Sequence, residues 1–183
     1  LAPSIAVAFA RKMGLPMRYV QYGSPGELMA EAAEDEWDIA LIGADPAREE
    51  HVAFTAPYCE IEATYLVPED SAFTQCEQVD ADGMRIAVCA KTAYDLWLQR
   101  HIQKASVVRF EGHDETYAQF QAQKFDALAG LRSKLSADQG QLKRTRILPG
   151  KFMAVEQAMC IKRGREFGEK ALHSFVEELK TSG

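Results

Sequence analysis

The chain has 183 residues, 47% of them hydrophobic and 26% charged, a globular balance able to bury a core in one domain or two small lobes. Its net charge of −6 and pI near 5.3 argue against a phosphate-binding or nucleic-acid surface, and the two short basic runs, "KRTR" (143–146) and "KRGR" (162–165), read as a solvated loop and a helix start. No stretch approaches the roughly 18 apolar residues that a membrane span needs, so direct membrane insertion is not expected.

In chain order, the opening "LAPSIAVAFARKMG" is amphipathic, with Ile5, Ala8, Phe9 and Met13 on one helical face and Gly14 as its stop. It has neither a basic start nor a cleavage site, so it is not read as a signal peptide. "MRYVQY" (17–22), β-branched and aromatic, predicts a strand. "SPGELMAEAAEDE" opens with Ser24 as N-cap, Pro25 at the first helical position and Glu27 three residues after the cap, a capping box. "DIALIG" (38–43) is a continuous apolar run, the pattern of a buried strand. Helix, strand, helix, strand in succession predicts crossovers and a parallel sheet.

"EATYLV" (62–67) predicts a strand ending at Pro68, and the aperiodic polar stretch 68–83 is expected to be a connection between two units. "MRIAVCA" (84–90) then restarts the alternation, with a helix over "TAYDLWLQRHIQK", in which Thr92 and Asp95 stand at capping spacing. "SVVRF" (106–110) is a strand, "DETYAQFQAQK" a helix, "FDALAGL" (125–131) a strand and "FMAVEQAMCI" (152–161) another. The last helix, in "GREFGEKALHSFVEELK", carries Phe167, Ala171, Leu172, Phe175, Val176 and Leu179 on its apolar face. The expected organisation is a first lobe over 1–67, a hinge or connection over 68–83, a second lobe over 84–152, and a return strand and C-terminal helix over 153–183.

Two α/β lobes place a cleft between them, and in parallel units a ligand lies beyond the carboxyl ends of the strands. Two edges qualify: 43–48, following "DIALI", and 90–93, following "RIAVC", where a helix start offers unpaired N–H groups to an anion. No other constellation competes. Cysteines 59, 76, 89 and 160 form no CxxC or Cys/His ligand pattern, so no metal is expected; Cys89 and Cys160 read as buried thiols, and Cys59 and Cys76 could pair in an oxidising compartment. His51, His101, His113 and His173 have no partner at ligand or catalytic spacing and read as surface or helix-end residues, while Trp37 and Trp97 read as core. There is no GxSxG, HExxH, phosphate-cradling or dinucleotide motif, hence no expected catalytic residue or cofactor.

With these residues in place, the chain resembles the periplasmic type II solute-binding proteins, specifically the amino-acid-binding family of ABC importers. "WDIALIGADPAREEHVAFTAPY" is similar to that family's strand, loop arginine and Phe-Ser/Thr-x-Pro-Tyr corner. "ADGMRIAVCAKTAYDLWL" is similar to the opening of its second lobe, "FQAQKFDALAG" to its Gly-x-Val-Asp-Ala strand, and "QAMCIKRG" to its return strand. The resemblance implies a two-lobed α/β fold of the type II periplasmic binding kind, with a central mixed or parallel sheet in each lobe. It also implies a periplasmic or extracellular location, transport, a small-molecule solute, and the membrane subunits of an ABC transporter as partners. Closure about hinge strands near 62–68 and 153–161 would go with binding.

By the resemblance, Arg48 clamps a carboxylate; by its own neighbourhood, it would pair with Asp45 or Glu49 and cap the following turn. Thr92, with the adjoining Ala90, Lys91 and Ala93, matches the family's carboxylate-binding helix start, and a plain N-cap uses the same hydroxyl. Gly43 ends the buried strand, and Tyr58 closes the corner as a packing aromatic or a stacking platform. Three positions depart from the family. Asp45 stands where Thr or Ser is usual, Leu131 stands where an Asp accepts the ligand ammonium, and Glu156 near the hinge is a carboxylate that could replace it. Against the family, the chain starts inside the first helix and stops early, so it looks trimmed at both ends; a strand-paired or swapped homodimer would repair the missing first strand. The alternatives are a cleft dehydratase using Asp45 and Glu156, or a remnant that no longer transports.

Overall fold

The computed structural model describes residues 1–34 and 36–182. In chain order its elements are α1 (Ala2–Met13), α2 (Pro25–Ala30), β1 (Ile39–Gly43), β2 (Val52–Phe54), β3 (Cys59–Pro68), β4 (Arg85–Cys89), α3 (Ala93–His101), β5 (Ser106–Phe110), α4 (His113–Ala122), β6 (Ala127–Leu131), α5 (Arg132–Asp138), β7 (Thr145–Ile147), β8 (Met153–Lys162) and α6 (Glu166–Ser182). Short 3-10 turns lie at Glu31–Ala33, Pro46–Arg48 and Cys76–Val79. The chain forms two compact units: unit 1 is Leu1–Cys59 with Glu156–Gly183, and unit 2 is Glu60–Val155.

In unit 1, β1 and β2 both pair antiparallel with β8, with Ile42 opposite Ala158 and Ala53 opposite Ile161. One apolar cluster joins Ile5 and Phe9 of α1 to Leu172, Phe175 and Val176 of α6 and to Met159 and Ile161 of β8. Phe9 and Phe175 meet edge to face with ring centroids 5.2 Å apart. At Gly168 on α6 a Cβ would stand 2.5 Å from the flexible Cδ1 end of Ile161 on β8, so a side chain there would need that methyl to move. A second cluster gathers Ala32, Trp37, Ala40, Ile42, Val52 and Cys160. Burying a side chain such as Phe175 or Ile42 stabilises the unit by about 1.5–3 kcal/mol. The local helix signals act as expected: Gly14 adopts φ 65° after α1, Glu27 N–H donates to Ser24 Oγ, and Gly23 N–H donates to Glu27 Oε2.

The strand predicted over 17–22 does not form. Propensity alone does not make a strand; it needs a neighbouring ladder and a covered face. Here Met17 and Tyr19 are exposed, and the segment is held instead by Arg18 donating to the Glu36 carbonyl and Tyr19 Oη donating to that of Pro3. The parallel sheet expected of this region is absent too: among the described residues, every strand pair in unit 1 is antiparallel, because the strand that β1 and β2 share is the returning β8.

Unit 2 is mixed. β4 pairs parallel with β5 and with β6, while β3 pairs antiparallel with β6 and β7. Helices α3 and α4 are the crossovers of a β4–α3–β5–α4–β6 run. Ile86, Val88, Leu98, Ala127 and Tyr65 build one cluster; Ala87, Leu128, Phe120, Phe125 and Leu135 build the other. Residues 68–83, expected to be a connection, belong to this unit. Cys76 and Val79 are buried in its core, Asp80 accepts from the backbone N–H groups of Gln103, Lys104 and Ala105, and Arg146 donates to the Ser71 and Phe73 carbonyls. A polar segment can be structural when its side chains satisfy buried backbone in this way. All four cysteines carry free thiols, so Cys59 and Cys76 form no disulfide. No helix among the described residues is long and apolar enough to cross a membrane.

Candidate functional site

The unit 1 residues gather at the end of β1. Gly43 is the last residue of the strand, and its carbonyl accepts from Arg48 Nη1. Asp45 is the N-cap of the turn that follows, with Oδ1 accepting from Ala47 N–H at 2.9 Å. Arg48 closes that turn, its N–H donating to the Asp45 carbonyl at 2.9 Å. Both side chains are buried, each residue 4% exposed. Burial pushes the Arg48 guanidinium pKa down, opposed by the carboxylate of Asp45. Asp45 caps the turn, and the Arg48 guanidinium reaches back to the strand end. Glu156 is exposed and its carbonyl accepts from Ala44 N–H at 2.8 Å, which fixes the residue between Gly43 and Asp45. Tyr58 N–H donates to the Gln157 carbonyl, and its ring packs against the α1–α6 cluster; burial raises its phenol pKa to about 12.

The unit 2 residues gather at the end of β4. Ala90 N–H donates to the Phe110 carbonyl at 2.9 Å. Lys91 then turns with φ 58°, a left-handed conformation that costs a side-chain-bearing residue about 1 kcal/mol. Its N–H donates to Asp95 Oδ2 at 2.8 Å, and Arg109 Nε donates to Asp95 Oδ1 at 2.7 Å. Thr92 is the N-cap of α3: Oγ1 accepts from Asp95 N–H and donates to the Cys89 carbonyl at 2.9 Å. Thr92 and Ala93 are both buried. The start of α3, with the positive end of its dipole, thus stands on a rigid platform built from Thr92, Asp95 and Arg109. Leu131 is the last residue of β6, opposite Ala63.

Gly43, Leu131 and residues 90–93 thus stand at strand ends or at the helix start that follows one, whereas Asp45 and Arg48 lie in the turn after β1, Tyr58 directly precedes β3 and Glu156 lies within β8. His113 is a helix-end residue, as expected, and its surroundings add to that reading. It is the first residue of α4, but its ring is half-buried, with Nδ1 4.0 Å from Cys89 Sγ and Nε2 3.4 Å from the Tyr94 hydroxyl. Burial lowers its pKa, with the Lys134 cation adding to the effect. The side chains around it come from β4, α3, α4 and α5, so no spacing along the chain announces them. Among the described residues, no three His, Cys, Asp or Glu side chains gather as metal ligands.

The description "Bacterial extracellular solute-binding proteins, family 3" matches residues 1–183. The fold is shared with solved structures of low sequence identity. The substrate-binding protein of an amino acid ABC transporter is 20% identical, with a TM-score of 0.80 over 99% of this chain and 81% of that one. Holo ArgBP from T. maritima is 20% identical, with a TM-score of 0.81 over 98% and 80%. The ancestral amino acid-binding protein AncCDT-1, a precursor of cyclohexadienyl dehydratase, is 18% identical, with a TM-score of 0.78 over 98% and 78%. A comparison with curated proteins finds no match. The two α/β units are those of a type II periplasmic binding fold, and with the family match running from the first residue to the last, the chain belongs to the bacterial extracellular solute-binding proteins, family 3.

Proposed function

We propose that the chain is the solute-binding component of an ABC-type importer, working in the periplasm or outside the cell and taking a small polar solute, an amino acid or a related carboxylate. Family membership across the whole chain carries this reading. In unit 1 the candidate contacts are Gly43, Asp45, Arg48, Tyr58 and Glu156, with Arg48 as the anchor for an anionic group. In unit 2 they are Ala90, Lys91, Thr92, Ala93 and Leu131, with Thr92 and the first N–H groups of α3 as the second anchor. In this reading the solute is bound and released unchanged, and turnover of an added acid by the wild type contradicts it. The membrane subunits of the importer are the proposed protein partners. The proposal also includes a strand-paired or swapped homodimer, because β1 has β8 as its one strand partner among the described residues; a monomeric mass in light scattering at micromolar concentration contradicts it. The solute reading is tested by a thermal-shift screen of amino acids, polyamines and carboxylates on the wild type and Arg48→Ala. A rise in Tm that the variant loses supports it; silence from every class contradicts it.

A further inference from the structure

The first turn of α4 meets the end of β4 through the His113 ring. Its N-cap, Gly112, has no side chain to receive the free N–H groups of the helix, and its own N–H turns to Cys89 Sγ. Cys89 is 1% exposed, and the ring stands beside it with Nδ1 4.0 Å from Sγ and Nε2 3.4 Å from the Tyr94 hydroxyl of α3. The cavity that these side chains wall, about 10 Å³, has the space of a single water. The groups around the ring favour its neutral form. From α5, Lys134 is the facing cation, and Asp138 is already engaged, accepting from Lys134 at 2.7 Å and from the Tyr117 hydroxyl at 3.0 Å. On α4 itself Asp114 and Glu115 are exposed, as is Glu111 before the helix, so water and salt screen their attraction, while the helix start adds the positive end of its dipole. Burial pushes the Cys89 thiol up to about 11 and the Tyr94 phenol up as well, so neither is an anion near neutral pH. Asp95 of α3 is held by Lys91 N–H and Arg109 Nε, and β6 lines the cavity with the uncharged Leu128, Ala129, Gly130 and Leu131.

A proton added to this ring leaves an imidazolium that faces Lys134 at the positive end of a helix, in a space that admits one water. Nδ1 also becomes a donor toward a thiol that already receives the Gly112 N–H. Opened to solvent, the same ring carries its proton at no such cost. We propose that His113 is an acid-sensitive latch: once protonated, it swings out with the first turn of α4 and bares Cys89, while the rest of unit 2 and all of unit 1 stay folded. The other two buried thiols stay covered, because Cys76 lies in the separate cluster around Tyr65 and Val88, and Cys160 in that around Trp37 and Ile42. The latch is independent of which solute the chain takes.

The test labels the three buried thiols of the full chain with 4,4′-dithiodipyridine between pH 7.5 and 5.5 and resolves them by peptide mass spectrometry. Each rate is divided by that of the urea-unfolded chain at the same pH, which removes the pH dependence of the reagent. The Cys89 ratio is expected to rise at least about fivefold as the pH falls below about 6.5, where the opened His113 takes up a proton that the closed one refuses. Cys76 and Cys160 keep their ratios within about twofold, and His113→Gln removes the rise at Cys89. Where that variant does not fold, the contrast among the three wild-type thiols decides. A Cys89 ratio that does not change with pH, three ratios that rise together, or a rise that His113→Gln retains overturns the inference.

Discussion

Burial changes the meaning of individual side chains in this molecule. Arg48, read along the chain as a loop cation, is buried against the Gly43 carbonyl, so its charge stands in a low-dielectric setting where a bound anion would be felt strongly. His113 shows the opposite consequence. Its ring is half-buried beside Cys89 and Tyr94, with Lys134 as the facing cation and Asp138 and Asp114 as the opposing anions. Its pKa is depressed in the folded chain, so on acidification the unfolded chain takes up the proton first. Stability contributed by neutral His113 is therefore full above pH about 6.5 and falls as the pH drops from there toward the folded value. Urea unfolding between pH 7.5 and 5 is expected to show this loss, and His113→Gln to flatten it; a variant with the wild-type slope would assign the pH dependence elsewhere. His113 is also the residue least legible in the sequence. Its partners arrive from three other elements, whereas the Ser24–Glu27 and Thr92–Asp95 caps were readable because each is complete within four residues.

At the scale of elements, local signals were strong wherever the element carried its own reason to form. α1, α3, α6, β4 and β5 follow from apolar periodicity, caps and short apolar runs. The 17–22 segment failed as a strand because nothing in its own six residues says whether a neighbouring ladder exists. β2 and β7, of three residues each, are too short to carry a period and exist because β8 and β3 offer them an edge. Leu131 was legible as a departure only through the resemblance to the family. The β4–α3 turn gives a prediction at this scale. Asp95→Ala removes the acceptor of Lys91 N–H and strands Arg109, a pair with one member buried and the other over one-third exposed. The expected loss is about 2–3 kcal/mol, below the full cost of breaking a buried pair because Arg109 can reach water. Chemical denaturation measures it; a loss under about 0.5 kcal/mol, the range of ordinary surface substitutions, would show that Asp95 does not support this turn.

For the molecule as a whole, family and fold class were legible, because four motifs fall in order across nearly the full sequence. The boundary of the units was not. It falls at Cys59–Glu60 and Val155–Glu156, and the polar stretch 68–83 packs into unit 2, since hydrogen-bonded side chains can bury a sequence that looks like a linker. The central claim is that this molecule binds a small solute through an anion anchored by Arg48. Isothermal titration of the wild type and Arg48→Ala against amino acids, their deamino counterparts and polyamines tests it most directly. The account predicts saturable one-to-one binding of at least one carboxylate-bearing solute to the wild type, weakened at least about tenfold in the variant. Absence of saturable binding across the panel, or equal affinity in the two proteins, would contradict it.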